Sequence, residues 1–344
     1  MKGLLKRISL TFAAIAILLV ALDIILRIVL PPACHGNITN IPKSMIKVPT
    51  VPGVQHMLRP SSVSVHEFGS DPRGYFDPGA TLTYRINSHG FRGPEISADK
   101  PPDTFRIIGV GDSFTFGTGV RREDTFLAVL EAILSGPGRS VEVLNLGVMG
   151  YDTASEVNLL RFFGLKFSPD VVIVCYFMND AAVSGPFHRA FNVNPDHREL
   201  PFWRRHSRLA DVVASRVDRY RGVKKMIESY RKGYQPNAAG WVRCKRALRR
   251  ARSMADKHGF RMAMMVFPML WELTEDYPFK QIHNIVVDYA RTESIPVLDL
   301  LPAFQGQDGP SLWVHPNNQH PNEEAHAIAA KALHEFLVAE RLLK

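Results

Sequence analysis

Apolar and polar positions change period several times along the chain, and each change predicts an element. An apolar run extends from about Ile8 to Leu30. Lys2, Lys6 and Arg7 precede it, and Asp23 and Arg27 interrupt it four residues apart, on one helical face where they can pair. From Phe105 a repeating pattern begins. Phe105–Gly111 is a short continuous apolar run, as for a strand buried on both faces. Glu123–Leu134 is amphipathic, with Phe126, Val129, Leu130 and Ile133 on one face. Val141–Leu146 and Val171–Phe177 repeat the strand pattern, and between them Thr153 to Glu156 reads as a capping box that opens a helix. Arg261–Phe267 and Pro296–Leu300 predict a fourth and a fifth strand, each preceded by a helical stretch. A final helix starts after Asn322 as its N-cap.

Strands alternating with helices imply a parallel sheet covered on both faces, and right-handed crossovers make it doubly wound. Sites in such folds lie beyond the carboxyl ends of the strands, so catalytic residues are expected just after strands. Two segments break the alternation. Residues 31–100, rich in Pro, Gly and Ser, read as a linker and irregular lead-in with short strand-like pieces such as Thr81–Ile86. Residues 181–240 read as a helical insertion near the mouth of the site, densely basic from Arg204 to Lys232. It serves either as a solvated face or as a surface for an anionic partner.

The amino-terminal run is long enough to cross about 30 Å of hydrocarbon, and positive charge ahead of it predicts a cytoplasmic amino end and an exported remainder. A cleaved signal peptide is the alternative. No small-x-small cleavage site follows the run, Pro31-Pro32 do, and the Leu-Pro-Pro-Ala before Cys34 is a poor acylation signal. The expectation is an uncleaved signal anchor, a single pass through the inner membrane with the remainder facing the periplasm. Composition agrees with one large globular domain plus appendages: 344 residues, 46% hydrophobic and 22% charged. Three cysteines, Cys34, Cys175 and Cys244, are too few for a disulfide scaffold, and Cys175 reads as a buried strand residue. The net charge of +9 invites an anionic partner, but an exported chain argues against nucleic acid. No metal site and no cofactor is expected, and Gly109-Val-Gly111 lacks the remaining glycine of a dinucleotide fingerprint.

Four features carry chemistry. Gly111-Asp112-Ser113 ends the first core strand, where a serine hydroxyl and the backbone N–H groups of the next turn stand together. Alone, the tripeptide is also ordinary turn chemistry. The second strand leads to Asn145-Leu-Gly147-Val-Met-Gly150, the third to Met178-Asn179-Asp180, and His320-Pro321-Asn322 stands directly before the last helix. Gly150 can bring its N–H close to a substrate, Asn179 can donate its amide to an oxyanion, and a neutral His320 can take the proton from a serine hydroxyl.

In this order and spacing the chain resembles the SGNH (GDSL) hydrolase superfamily over about residues 105–340. The turn Asn87-Ser-His-Gly90-Phe-Arg92 resembles the lead-in of many bacterial members. The resemblance implies a flavodoxin-like α/β/α sandwich and ester hydrolysis through Ser113 and His320, with the Ser113 N–H, Gly150 N–H and Asn179 as oxyanion hole. Two positions depart from the family. Phe177 stands where the third block has glycine, which narrows the pocket beside Asn179. Asn317 stands where the fourth block has its acid, three residues before His320, and Asn318 follows it. Asn317 is therefore the possible orienting group for His320, with Asp299 and Asp308 as remote alternatives and a bare Ser–His pair as the simplest arrangement. His315 repeats the His-Pro-Asn string five residues earlier and reads as a supporting or surface histidine, His326 as a helix-face residue. The functional expectation is a serine esterase or acyl hydrolase acting on acyl or acetyl esters of an envelope glycan or lipid. The alternatives are an O-acyltransferase on such a glycan and a catalytically weak binding protein of the same fold.

Overall fold

The computed structural model describes residues 2–29, 43–181, 200–316 and 318–343. These fall into two compact units, Met1–Asn37 with Ser184–Glu228, and Ile38–Val183 with Ser229–Lys344.

In the first unit, helix α1 (Lys2–Val29) contains the stretch Arg7–Val29, whose length and apolar composition serve a membrane span and a signal sequence alike. Asp23 and Arg27 pair at 2.8 Å as their spacing predicts. The Asp23 carboxylate also accepts from the Ser207 hydroxyl and the Leu209 N–H, both at 2.8 Å.

The second unit holds the sheet. Its lead-in forms an antiparallel pair, β1 (Val63–Glu67) and β2 (Thr81–Arg85), with Val63 opposite Arg85 and Glu67 opposite Thr81. The core strands are β3 (Thr104–Gly111), β4 (Ser140–Gly147), β5 (Val171–Tyr176), β6 (Arg261–Val266) and β7 (Val297–Asp299). They run in the order β4-β3-β5-β6-β7, every neighbouring pair parallel. Numbered by chain position this is 2-1-3-4-5, the flavodoxin-like order, whose switch point lies where the chain leaves β3 and returns on its other side as β5. The observed strands match the apolar runs to within a residue or two. The intervening helices of this unit are α2 (Ser113–Phe116), α3 (Phe126–Leu134), α4 (Thr153–Phe162), α7 (Ala239–His258) and α8 (Lys280–Thr292); α5 (Phe202–His206) belongs to the first unit, in which α6 (Arg208–Gly233) also begins. A short hairpin, β8 (Trp313–His315) and β9 (Asn318–Pro321), leads into α9 (Glu323–Ala339), whose N-cap is Asn322.

The lead-in contributes buried side chains. Leu82, Tyr84, Ile86 and Phe91 are buried, and so is the Arg92 guanidinium. It donates to the carbonyls of Phe116 at 2.8 Å, Gly117 at 2.5 Å and Val120 at 2.6 Å, and lies over the Tyr84 ring. The Tyr84 hydroxyl in turn accepts the Gly119 N–H at 2.8 Å. The turn after α2 has carbonyls that no helix or strand satisfies, and a buried carbonyl left without a donor costs about 1–3 kcal/mol. Arg92 supplies those donors, so the lead-in is the inner support of the Ser113 turn. Its polar composition hid this, because the supporting groups are themselves polar.

Helix α4 also starts differently from the expected capping box. The N-cap is Asp152, which accepts the Ser155 N–H at 2.9 Å. Thr153 instead donates its hydroxyl to the buried Asp180 at 3.1 Å, a partner that sequence spacing cannot reveal. Cys175 is buried, as read from its place mid-strand.

Candidate active site

The first strand delivers the serine. Strand β3 ends at Gly111, and a Cβ there would stand 2.0 Å from the Thr115 hydroxyl, so only glycine lets α2 fold back this closely. Asp112 caps α2, its Oδ1 accepting the Phe114 N–H at 2.8 Å. Ser113 is thereby held at the head of the turn, beyond the carboxyl end of β3.

The second strand ends beside it. The Val148 N–H donates to the Gly111 carbonyl at 2.9 Å, fastening the loop after β4 to the end of β3. Gly150 lies two residues further on, with φ of +78°, a left-handed conformation that side chains other than glycine resist. The third strand contributes Asn179, on the short turn Met178–Ala181 after β5. Its amide nitrogen donates to Asp112 Oδ2 at 3.0 Å. A carboxylate only accepts, so this contact fixes which end of the Asn179 amide is nitrogen and leaves its second hydrogen for another acceptor.

Beneath Asn179 two carboxyl groups are buried. Asp180 accepts from Thr153 at 3.1 Å and from the Phe177 N–H at 3.3 Å. Both oxygens of Glu156 lack a hydrogen-bond partner among the described residues. Burial, reinforced by the neighbouring negative charges, pushes both acids well above the usual carboxylate range. The layer under the site thus favours neutral acids.

The last block arrives on the hairpin. The imidazole Nε2 of His320 lies 2.9 Å from Ser113 Oγ. Its other nitrogen, Nδ1, meets Asn318 Oδ1 at 2.5 Å, and the same oxygen accepts the His320 backbone N–H at 3.2 Å. Asn317, the residue at the family's acid position, lies outside the described residues. Among the described residues the group on Nδ1 is Asn318, two residues before His320. Of the remote acids, Asp299 accepts from His283 at 2.8 Å and from the Leu301 N–H at 3.0 Å, and Asp308 is exposed at the start of the turn Gly309–Leu312, without a side-chain bond to it.

The two other histidines have separate partners. His315 is buried, with Nε2 at 2.9 Å from Ser70 Oγ. His326 is fully buried against Phe126 and accepts the Phe126 N–H at 3.2 Å. Burial holds its pKa down to about 3, so it is neutral. Aromatic rings close one flank: Phe114 stacks on Phe177 at 4.1 Å, meets Phe267 edge-on at 5.4 Å and lies 5.5 Å from the His320 ring. Among the described residues no cluster of His, Cys, Asp and Glu is set to hold a metal ion.

A doubly wound parallel sheet with a serine–histidine contact beyond its carboxyl ends defines a serine hydrolase of the α/β class. The model of the GDSL-like lipase/acylhydrolase family matches residues 110–328, more than half of the chain, and the chain belongs to that family. Among solved structures it is similar to TesA, at 15% identity over 69% of this chain and 99% of that one, with a TM-score of 0.45. It is likewise similar to a catalytic mutant of the acetylxylan esterase Axe2 from Geobacillus stearothermophilus, at 14% identity over 70% and 96% with a TM-score of 0.41. A third similar structure is the psychrotrophic esterase EstA from Pseudoalteromonas sp., at 14% over 69% and 98% with a TM-score of 0.41. No curated protein matches the chain.

Proposed function

We propose that the protein is a serine esterase that removes a short acyl group, acetyl above all, from a glycan or lipid of the cell envelope. The observation that carries the reading is the 2.9 Å contact between Ser113 Oγ and His320 Nε2 at the carboxyl end of β3. In the reaction the Ser113 oxygen bonds to the ester carbonyl carbon while its proton passes to His320 Nε2. The carbonyl oxygen takes up the negative charge against the Ser113 N–H, the Gly150 N–H and the second amide hydrogen of Asn179. Collapse of the intermediate breaks the bond to the alcohol, which leaves with the proton from His320. Water, deprotonated by the same imidazole, then releases the acid and restores the serine.

The acyl group is taken to be short because Phe114, 5.5 Å from the His320 ring, is backed by Phe177 and Phe267. Phe177 stands where the family's third block has glycine. The apolar helix behind Lys2, Lys6 and Arg7 supports an inner-membrane anchor with the hydrolase unit on the periplasmic side.

The test is a series of nitrophenyl esters from acetate to decanoate, hydrolysed by the full chain in detergent. Acetate is expected to be the best substrate, and Phe177→Gly to move the preference to longer chains by at least two carbons. A wild-type preference for decanoate would refute the short-acyl reading, and hydrolysis that survives Ser113→Ala would refute the esterase itself.

A further inference from the structure

We propose that Asn318 is the positioning residue of His320, an uncharged group taking the place of the triad acid from a position two residues before the histidine. The inference rests on the esterase reading above and goes beyond it, since the family's pattern places an acid elsewhere.

The amide can stand in for a carboxylate only if its oxygen, not its nitrogen, faces the imidazole. The backbone N–H of His320 decides this. It is a donor only, it points at the same Asn318 atom as Nδ1, and so that atom is the amide oxygen. A flip would set an NH2 group against that N–H and move the carbonyl to a place with no donor, because Nδ2 is buried and meets no partner among the described residues. With oxygen opposite it, Nδ1 carries the proton and Nε2 is left with its lone pair toward Ser113. Asn318 is 2% exposed, so water does not compete for the contact. The hairpin holds it there, with His315 opposite Asn318 and Trp313 opposite Pro321 across an irregular register.

This arrangement differs from replacing a triad Asp by Asn in an unrelated serine protease, where the rate falls about 10⁴-fold because the imidazole is left in the wrong tautomer. Here the tautomer is the productive one. What Asn318 does not supply is negative charge to stabilise the imidazolium. Among the described residues, the charged and titratable groups on the neighbouring elements have contacts of their own. On the last helix His326 is buried, and Glu323 is paired with Arg73 of the lead-in at 2.8 Å. Arg92 is bound to carbonyls, and Asp112 on the nucleophile's turn engages Phe114 and Asn179. All of them are unchanged in the variants below.

The experiment measures kcat and KM against pH, with nitrophenyl acetate, for wild type, Asn318→Ala, Asn318→Asp and Ser113→Ala. Asn318→Ala is expected to lower kcat by about 10²-fold or more with KM little changed. Asn318→Asp keeps the acceptor and adds charge. It is expected to hold kcat within about tenfold and to move the acid limb of the profile up by about one pH unit, because a carboxylate favours the protonated imidazole. A residue that merely held the hairpin together would leave the limb where it was in the Asp variant. An unmoved limb, or an Ala variant with wild-type kcat, overturns the proposal; if the Ala variant does not fold, the limb of the Asp variant decides. Loss of activity in Ser113→Ala beside either of those results confines the failure to Asn318, whereas activity retained in Ser113→Ala sinks the esterase reading itself.

Discussion

The two halves of the site are built by different means. Ser113, Gly150 and Asn179 stand at the ends of neighbouring parallel strands and are cross-linked there, Val148 to Gly111 and Asn179 to Asp112. His320 and Asn318 come from a hairpin of two short strands, held by a few side-chain contacts such as Ser70 to His315 and the bidentate pair of Arg73 and Glu323 at 2.9 and 2.8 Å. The sheet half draws its geometry from a repeating ladder of backbone bonds, the hairpin half from individual partners. A doubly wound sheet can therefore hold its strand-end groups in place while the histidine side varies in which residue orients the ring.

Substitutions in one half or the other separate the two. Asn179→Ala removes a donor from the sheet half without touching the hairpin, and kcat is expected to fall by about 10²–10³-fold, the usual loss for one oxyanion donor. Steady-state kinetics on acetate esters check this, and a change confined to KM would remove Asn179 from the oxyanion hole.

Glu156→Gln probes the buried acids beneath that half. A carboxyl whose folded pKa is raised contributes its full stability below its ordinary value of 4.5 and loses it as pH rises toward the raised folded value. The variant, neutral at every pH, is expected to match wild type below pH 4.5. Above it the variant gains on the order of 1–2 kcal/mol, read from thermal melts at pH 4 and pH 8. A variant equally stable or less stable than wild type at pH 8 would contradict a neutral Glu156.

Ser70→Ala makes the smallest change and acts on the hairpin half. It removes one hydrogen bond from buried His315 and is expected to cost about 1 kcal/mol of stability. A drop in kcat of no more than about fivefold should accompany it, as the hairpin loosens. No change in either quantity would mean that the hairpin does not depend on this contact.

The same contrast governs what could be read from the sequence. Strands β3 to β7 are legible as apolar runs, and so is the placement of Ser113 and Asn179 just beyond strand ends. The contact of Asn318 with His320 is not legible. Spacing points to Asn317, which lies outside the described residues; that Asn318 faces the imidazole depends on the register of a four-residue strand, and no hydrophobic period encodes that. The role of Arg92 was hidden for a related reason. A buried guanidinium bonded to carbonyls looks, in sequence, like any polar residue in a Gly- and Pro-rich stretch. Spacing makes Thr153 a cap, whereas its hydroxyl donates to Asp180, 27 residues away.

The esterase reading stands or falls with Ser113 as the nucleophile, activated by His320. The direct test is to treat the full chain in detergent with a fluorophosphonate, digest it and locate the adduct by mass spectrometry. A single modified serine is expected, Ser113, with labelling abolished in Ser113→Ala and slowed by orders of magnitude in His320→Ala. Labelling at another serine, or none in a wild-type protein that still hydrolyses nitrophenyl acetate, would contradict it.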